Sequence, residues 1–187
     1  MSTTCRTRPA RSTWSTRCRT RSASAARTRP SPSAAIAADP LAELQVRLGH
    51  RFADPALLLR AITHASYAAE HAPAVAQDAL AFLGDAALGL VVAGHLLAVT
   101  PEATVGQLTS ARAALVADES LARWAARLEL GAVVRLGRGA ERTGGRATAS
   151  ILATTLEAVL GALYLDAGLP AVHGLVARLA GWSTAAC

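Results

Sequence analysis

A core that must be assembled from alanine, leucine and valine sets the fold class of this chain. Hydrophobic residues make up 52% of the sequence and aromatic ones only 4%, so few large rings are available to fill an interior. Alanine and leucine are strong helix formers. The spacing agrees with that preference. Leu41, Leu44 and Leu48 recur at helical period and stop at Gly49. Asp54-Pro55 reads as an N-cap followed by proline at the first helical position, opening a helix through Leu57, Leu58 and Ile62 towards Tyr67. A longer helix is predicted over 75–99, ending before Pro101, with others over 104–115, 118–129, 150–166 and 169–180. The run Val133–Leu136 and the glycine-rich stretch 137–147 read as loop. No alternation of useful length suggests a strand, so the expected class is all-α, a helical bundle.

Charge divides the chain. Residues 1–38 hold eight arginines and no acid, whereas the other eleven arginines face all thirteen acids. The net charge of +6 therefore belongs to the tail, and the remainder is mildly acidic. The tail is rich in Arg, Ser, Thr, Ala and Pro without apolar periodicity, and it reads as disordered. Its arginines suit a nucleic-acid-binding arm, since they neutralise phosphates and release counterions. An Arg- and Ser-rich, acid-free stretch also fits a transit-type segment, and a misassigned start or a featureless tail fits equally. The expected organisation is a tail over 1–38, a helical domain over 39–183 and a short C-terminal tail over 184–187.

Cys5, Cys18 and Cys187 form no CxxC pair and no zinc spacing, so a reduced, cytoplasmic setting is expected. The apolar run 86–99 spans about 14 residues, against the roughly 20 that a bilayer requires. A buried core helix, with no membrane, is the expectation there.

Two carboxylates stand on apolar helical faces. Asp85 follows Ala81 and Phe82 by one turn and precedes Leu88 and Gly89. Glu157 follows Ala153 and precedes Leu160 and Gly161. Both are therefore expected to be buried, and a buried carboxylate must be paired, capped or metal-bound. Spacing alone leaves an arginine salt bridge, an N–H cap and a metal site all open.

The surrounding sequence adds a resemblance. The stretch Ala79-Leu80-Ala81-Phe82-Leu83-Gly84-Asp85-Ala86-Ala87-Leu88 resembles the signature helix of the ribonuclease III family. Leu48-Gly49-His50-Arg51-Phe52, Thr63-His64-Ala65-Ser66-Tyr67, Leu136-Gly137-Arg138-Gly139, Gly144-Gly145-Arg146 and Leu156-Glu157-Ala158 resemble further family motifs in the right order. The resemblance covers residues 41–182. It implies a nuclease domain that works as a homodimer on double-stranded RNA, with magnesium held by carboxylates from two helices. Phe82, Leu83 and Leu88 would then supply apolar surface to the dimer contact.

The chain departs from the pattern that this resemblance implies. Asp85 and Glu157 match two metal-ligating carboxylates and carry the expected catalytic and metal roles. Asp78 falls where the family usually has a further acid. Ala81 and Thr154 stand where the other two ligating carboxylates belong, and Val105 is apolar where some members carry another glutamate. Arg138, Arg142 and Arg146 lie in a loop that in the family runs near RNA. His64 reads as a structural residue. Magnesium can be held by one or two carboxylates with water and phosphate, so binding is weakened or absent rather than forbidden. The expected function is RNA processing through double-stranded RNA binding, by a catalytically silent or impaired endoribonuclease-like domain. An active nuclease with a rearranged site, and a helical dimer repurposed away from RNA, stay open beside it.

Overall fold

The computed structural model describes residues 39–182. The expectations for residues 1–38 and 184–187 lie outside the described residues. Nine α-helices follow one another among the described residues: α1 (Pro40–Leu48), α2 (Pro55–Ala61), α3 (Ala65–Glu70), α4 (Asp78–Val99), α5 (Val105–Leu115), α6 (Asp118–Arg127), α7 (Leu130–Val133), α8 (Arg138–Arg142) and α9 (Ala149–Ala180), with a 3-10 turn at Gly145–Ala147.

Local chemistry sets several boundaries. The Asp39 carboxylate accepts from the backbone N–H of Leu41, and that of Asp54 from Ala56, each ahead of a proline at the helix start. Thr104 and Gln107 form a reciprocal capping box on α5. Gly168 takes a positive φ of 76° inside α9 and Pro170 follows, so the helix bends there, at the junction predicted between two separate helices.

The centre of the fold is the α4–α9 pair, with α6 packed on α9. α4 turns Leu80, Ala81, Gly84, Ala87, Leu88, Val91 and Val92 inwards. Both α4 and α9 are long and apolar enough to cross a membrane. α4 is longer than its apolar run because polar residues begin it, and each helix turns a buried face to the other. Arginines tie the rest to this centre by donating to carbonyls at helix ends. Arg47 Nε reaches Leu128 O, Arg178 Nη2 reaches Leu48 O, and Arg127 reaches Leu179 O. Asp166 of α9 accepts from His50 at 2.6 Å and from Ala53 N at 3.2 Å, which fixes the loop between α1 and α2.

Two predicted segments differ from the structure. The helix predicted to run towards Tyr67 stops at Ala61, because Thr63 forms a parallel bridge with Arg135. His64 N donates to Arg135 O and Arg135 N to Ile62 O. The 137–147 stretch is also not plain loop, since it contains α8 and the 3-10 turn.

Candidate active site and nucleic-acid face

Gly84 on α4 and Gly161 on α9 let the two central helices approach at backbone distance. A Cβ on Gly84 would overlap the carbonyl of Glu157, and one on Gly161 would overlap the carbonyl of Leu80. This crossing brings Asp85 and Glu157 within each other's field. The Glu157 carboxyl is half-buried and pushed up to about 7, first by burial, then by Asp85 and then by Asp118. Its proton is therefore held well above the usual carboxylate range.

Asp85 differs from its expectation. It is exposed rather than buried, because it sits at the edge of α4 between the inward row of Ala81, Gly84 and Leu88 and the outward row of Phe82 and Ala86. Glu157 is only half-buried. Neither has an arginine partner among the described residues, so the salt-bridge alternative is not realised there.

Ala81 lies one turn before Asp85 and is 6% exposed, and Thr154 is half-buried just under a turn before Glu157. Asp78 begins α4, exposed, and is not among the groups whose charge bears on Glu157. Asp118 takes part instead. It opens α6, and the packing of α6 on α9 carries it towards Glu157. In the sequence it reads only as an acid favoured at a helix start, so nothing local signals its link to α9.

Among the described residues no three His, Cys, Asp or Glu side chains converge as a metal site. Asp85 and Glu157 are the carboxylates that the crossing offers to a divalent cation. At the two positions one turn before them, Ala81 offers no oxygen and Thr154 offers a neutral hydroxyl.

The arginines predicted near RNA divide in two. Arg146 is committed to the fold, with Nε donating to Glu141 at 2.6 Å and Nη1 to the carbonyls of Gly131 and Val134 at 2.9 and 3.0 Å. Arg138 and Arg142 are exposed on α8 and make no ion pair among the described residues. His64 caps α3, its Nδ1 accepting from Ser66 N, and Gly137 N donates to Ser66 Oγ at 2.9 Å. The Thr63–Tyr67 motif thus acts structurally.

The family model for ribonuclease-III-like proteins matches residues 54–180. The chain belongs to the ribonuclease III family. It is 53% identical over 136 residues to ribonuclease 3 of Streptomyces coelicolor, which covers 73% of this chain and 49% of that protein. It is 46% identical over 143 residues to ribonuclease 3 of Syntrophobacter fumaroxidans, covering 75% of this chain and 59% of that protein. The chain thus spans about half the length of the curated relatives it matches. Its fold is similar to the nuclease domain of ribonuclease III from Campylobacter jejuni, with a TM-score of 0.69, 36% identity and coverage of 73% of this chain and 93% of that one. That domain is described for structural flexibility in a region involved in dimer formation.

Proposed function

We propose that this ribonuclease III-type domain binds double-stranded RNA as a homodimer and cleaves it slowly or not at all. The carboxylate set at the α4–α9 crossing carries the reading. Asp85 and Glu157 are present, while the partner position one turn before each is Ala81 or Thr154. Metal-assisted phosphodiester hydrolysis needs charge placed against the developing negative charge on the phosphate. Two carboxylates, one of which must give up a tightly held proton to bind, hold a divalent cation weakly.

Dimer formation is supported by the outer face of α4. Phe82 is 81% exposed, and Leu90 and Leu97 continue the same row. Val105 of α5 stands beside that row, lining a groove with Ala93, Leu97 and Leu108. Contiguous exposed apolar surface of this kind marks an interaction face. Leu88, expected in the contact, is fully buried in the core, and Leu83 is half-buried. The contact therefore rests on Phe82, Leu90 and Leu97.

A second reading is an active magnesium-dependent endoribonuclease with a rearranged site. The charge of Asp118, felt at Glu157, favours it, since it adds a third acid to the neighbourhood of the crossing. Double-stranded RNA cleavage with magnesium and with manganese separates the two. Alongside it, a gel shift at two salt concentrations reads binding. The proposal expects a salt-sensitive shift and little cleavage. Efficient cleavage that disappears in Asp85→Asn or Glu157→Gln would establish the second reading instead. No shift at either salt concentration would favour a helical dimer with no role in RNA.

A further inference from the structure

Tyr67, in the middle of α3, lies between two groups. The His71 ring stacks on it with centroids 4.0 Å apart and planes within 9°, and the Arg135 guanidinium carbon lies 4.0 Å from the same centroid. Two groups at that distance occupy opposite faces of one ring. The order of the stack is therefore Arg135, Tyr67, His71, with His71 outermost and exposed. The inner part has a structural task. Arg135 donates to Tyr67 Oη and to Thr63 Oγ1, and so fastens α3 to the segment before α8. That task ends at Tyr67 and leaves the outer ring unexplained.

His71 is held in place as well as exposed. Its Nδ1 donates to the Tyr67 carbonyl at 3.0 Å, so ring position and tautomer are both set and the outward face is flat and ready. The surroundings are cationic. α8 packs against α3 and presents Arg138 and Arg142 to solvent. Glu70 keeps its charge while accepting from Arg138 N at 3.0 Å, and Glu141 is paired with Arg146, so Arg138 and Arg142 outnumber the one remaining acid. A fixed aromatic face beside unpaired arginines suits a nucleobase with its flanking phosphates.

We propose that the outer face of His71 is a stacking platform for an unpaired nucleobase in a bound RNA, with Arg138 and Arg142 contacting the phosphates beside it. The inference rests on the RNA-binding reading and makes it more specific, since this face would favour a duplex that carries a bulged or looped-out nucleotide over a fully paired one. A platform that is already ordered loses little freedom when a base settles on it.

The test uses the full chain and two RNA stems. They are identical except that one carries a single bulged 2-aminopurine, a base whose fluorescence falls when it stacks. The platform predicts quenching of the bulge on binding. It also predicts that His71→Ala weakens binding of the bulged stem by roughly five- to a hundred-fold, the range of one base–aromatic stack, while the paired stem is unaffected. His71→Phe keeps a stacking face and should restore the preference, which a merely structural role for the imidazole would not. Equal losses on both stems, no loss on the bulged stem, or no quenching each overturn the platform and leave general RNA binding standing. Failure of the natural chain to bind either stem overturns both the platform and the RNA-binding reading.

Discussion

Gly84 of α4 lies against the backbone carbonyl of Glu157 on α9, with no room for a Cβ between them. Gly161 makes the reciprocal approach to Leu80. The candidate site is thus built on a helix crossing closer than ordinary side-chain packing permits.

Gly84→Ala forces the backbones apart, because the obstructing atom is a carbonyl oxygen that no rotamer change can move. The expected loss is about 1–3 kcal/mol or more, read as a fall of several degrees in melting temperature. The Glu157 carboxyl should also return towards its ordinary range as the helices separate. An unchanged melting temperature would show that the crossing is looser than described.

The raised Glu157 carboxyl has a defined effect on stability against pH. The folded state holds this proton more tightly than the unfolded chain does, so between the ordinary value of 4.5 and about 7 the folded state binds more protons. Its contribution is fully present below pH 4.5 and is lost as pH rises through about 7. His95 acts in the opposite direction. Burial, and then His173, lower its pKa, so protonation as pH falls below 6.5 weakens the fold. Asp166, held low chiefly by its bond from His50, contributes stability above 3.8 that is lost only in stronger acid. Comparing melting temperatures of the natural chain and Glu157→Gln across pH 4–8 isolates the first effect. The variant should gain on the natural protein as pH rises and level off above about 7. A constant difference across that range would contradict the assigned shift.

Phe82 tests the dimer. Light scattering of the natural chain at tens of micromolar should report a dimer, and Phe82→Glu should report a monomer with the same helical circular dichroism, because the side chain is almost wholly exposed within one subunit. A natural chain that is only monomeric contradicts the dimer. A dimer that survives Phe82→Glu places the contact elsewhere.

The elements whose ends are fixed by neighbouring residues were legible in the sequence. Asp39, Asp54-Pro55 and Thr104 each cap the helix that follows them, and Gly168 with Pro170 marks the bend in α9. What escaped depends on distant partners. The break after α2 needs Arg135, more than seventy residues away, and α8 begins where Glu70 accepts from Arg138 N. At the site, helical spacing sets Ala81 one turn before Asp85 on α4 and Thr154 just under one turn before Glu157 on α9. It misjudged the exposure of Asp85, because the outer face of α4 is itself apolar, so hydrophobic neighbours do not distinguish core from surface. Asp118 was missed because its approach to Glu157 is created by helix packing rather than by sequence distance. Arg146 was grouped with Arg138 and Arg142 by its loop, yet its guanidinium holds carbonyls of the fold.

If this ribonuclease III fold cleaves poorly because its proposed centre lacks ligands, restoring them should restore cleavage. Ala81→Glu together with Thr154→Asp places a carboxylate one turn before Asp85 and just under one turn before Glu157. The double variant should be less stable than the natural protein without metal, since Ala81 is buried and the added charges repel. Magnesium should restore that stability by binding the folded state. Each single change should achieve less than the pair, because ligands of one centre act together. The decisive measurement is the rate of magnesium-dependent double-stranded RNA cleavage by the natural and doubly substituted proteins, side by side. The natural chain should cleave little, and the double variant much more. Efficient cleavage by the natural chain, with no gain on substitution, would contradict it.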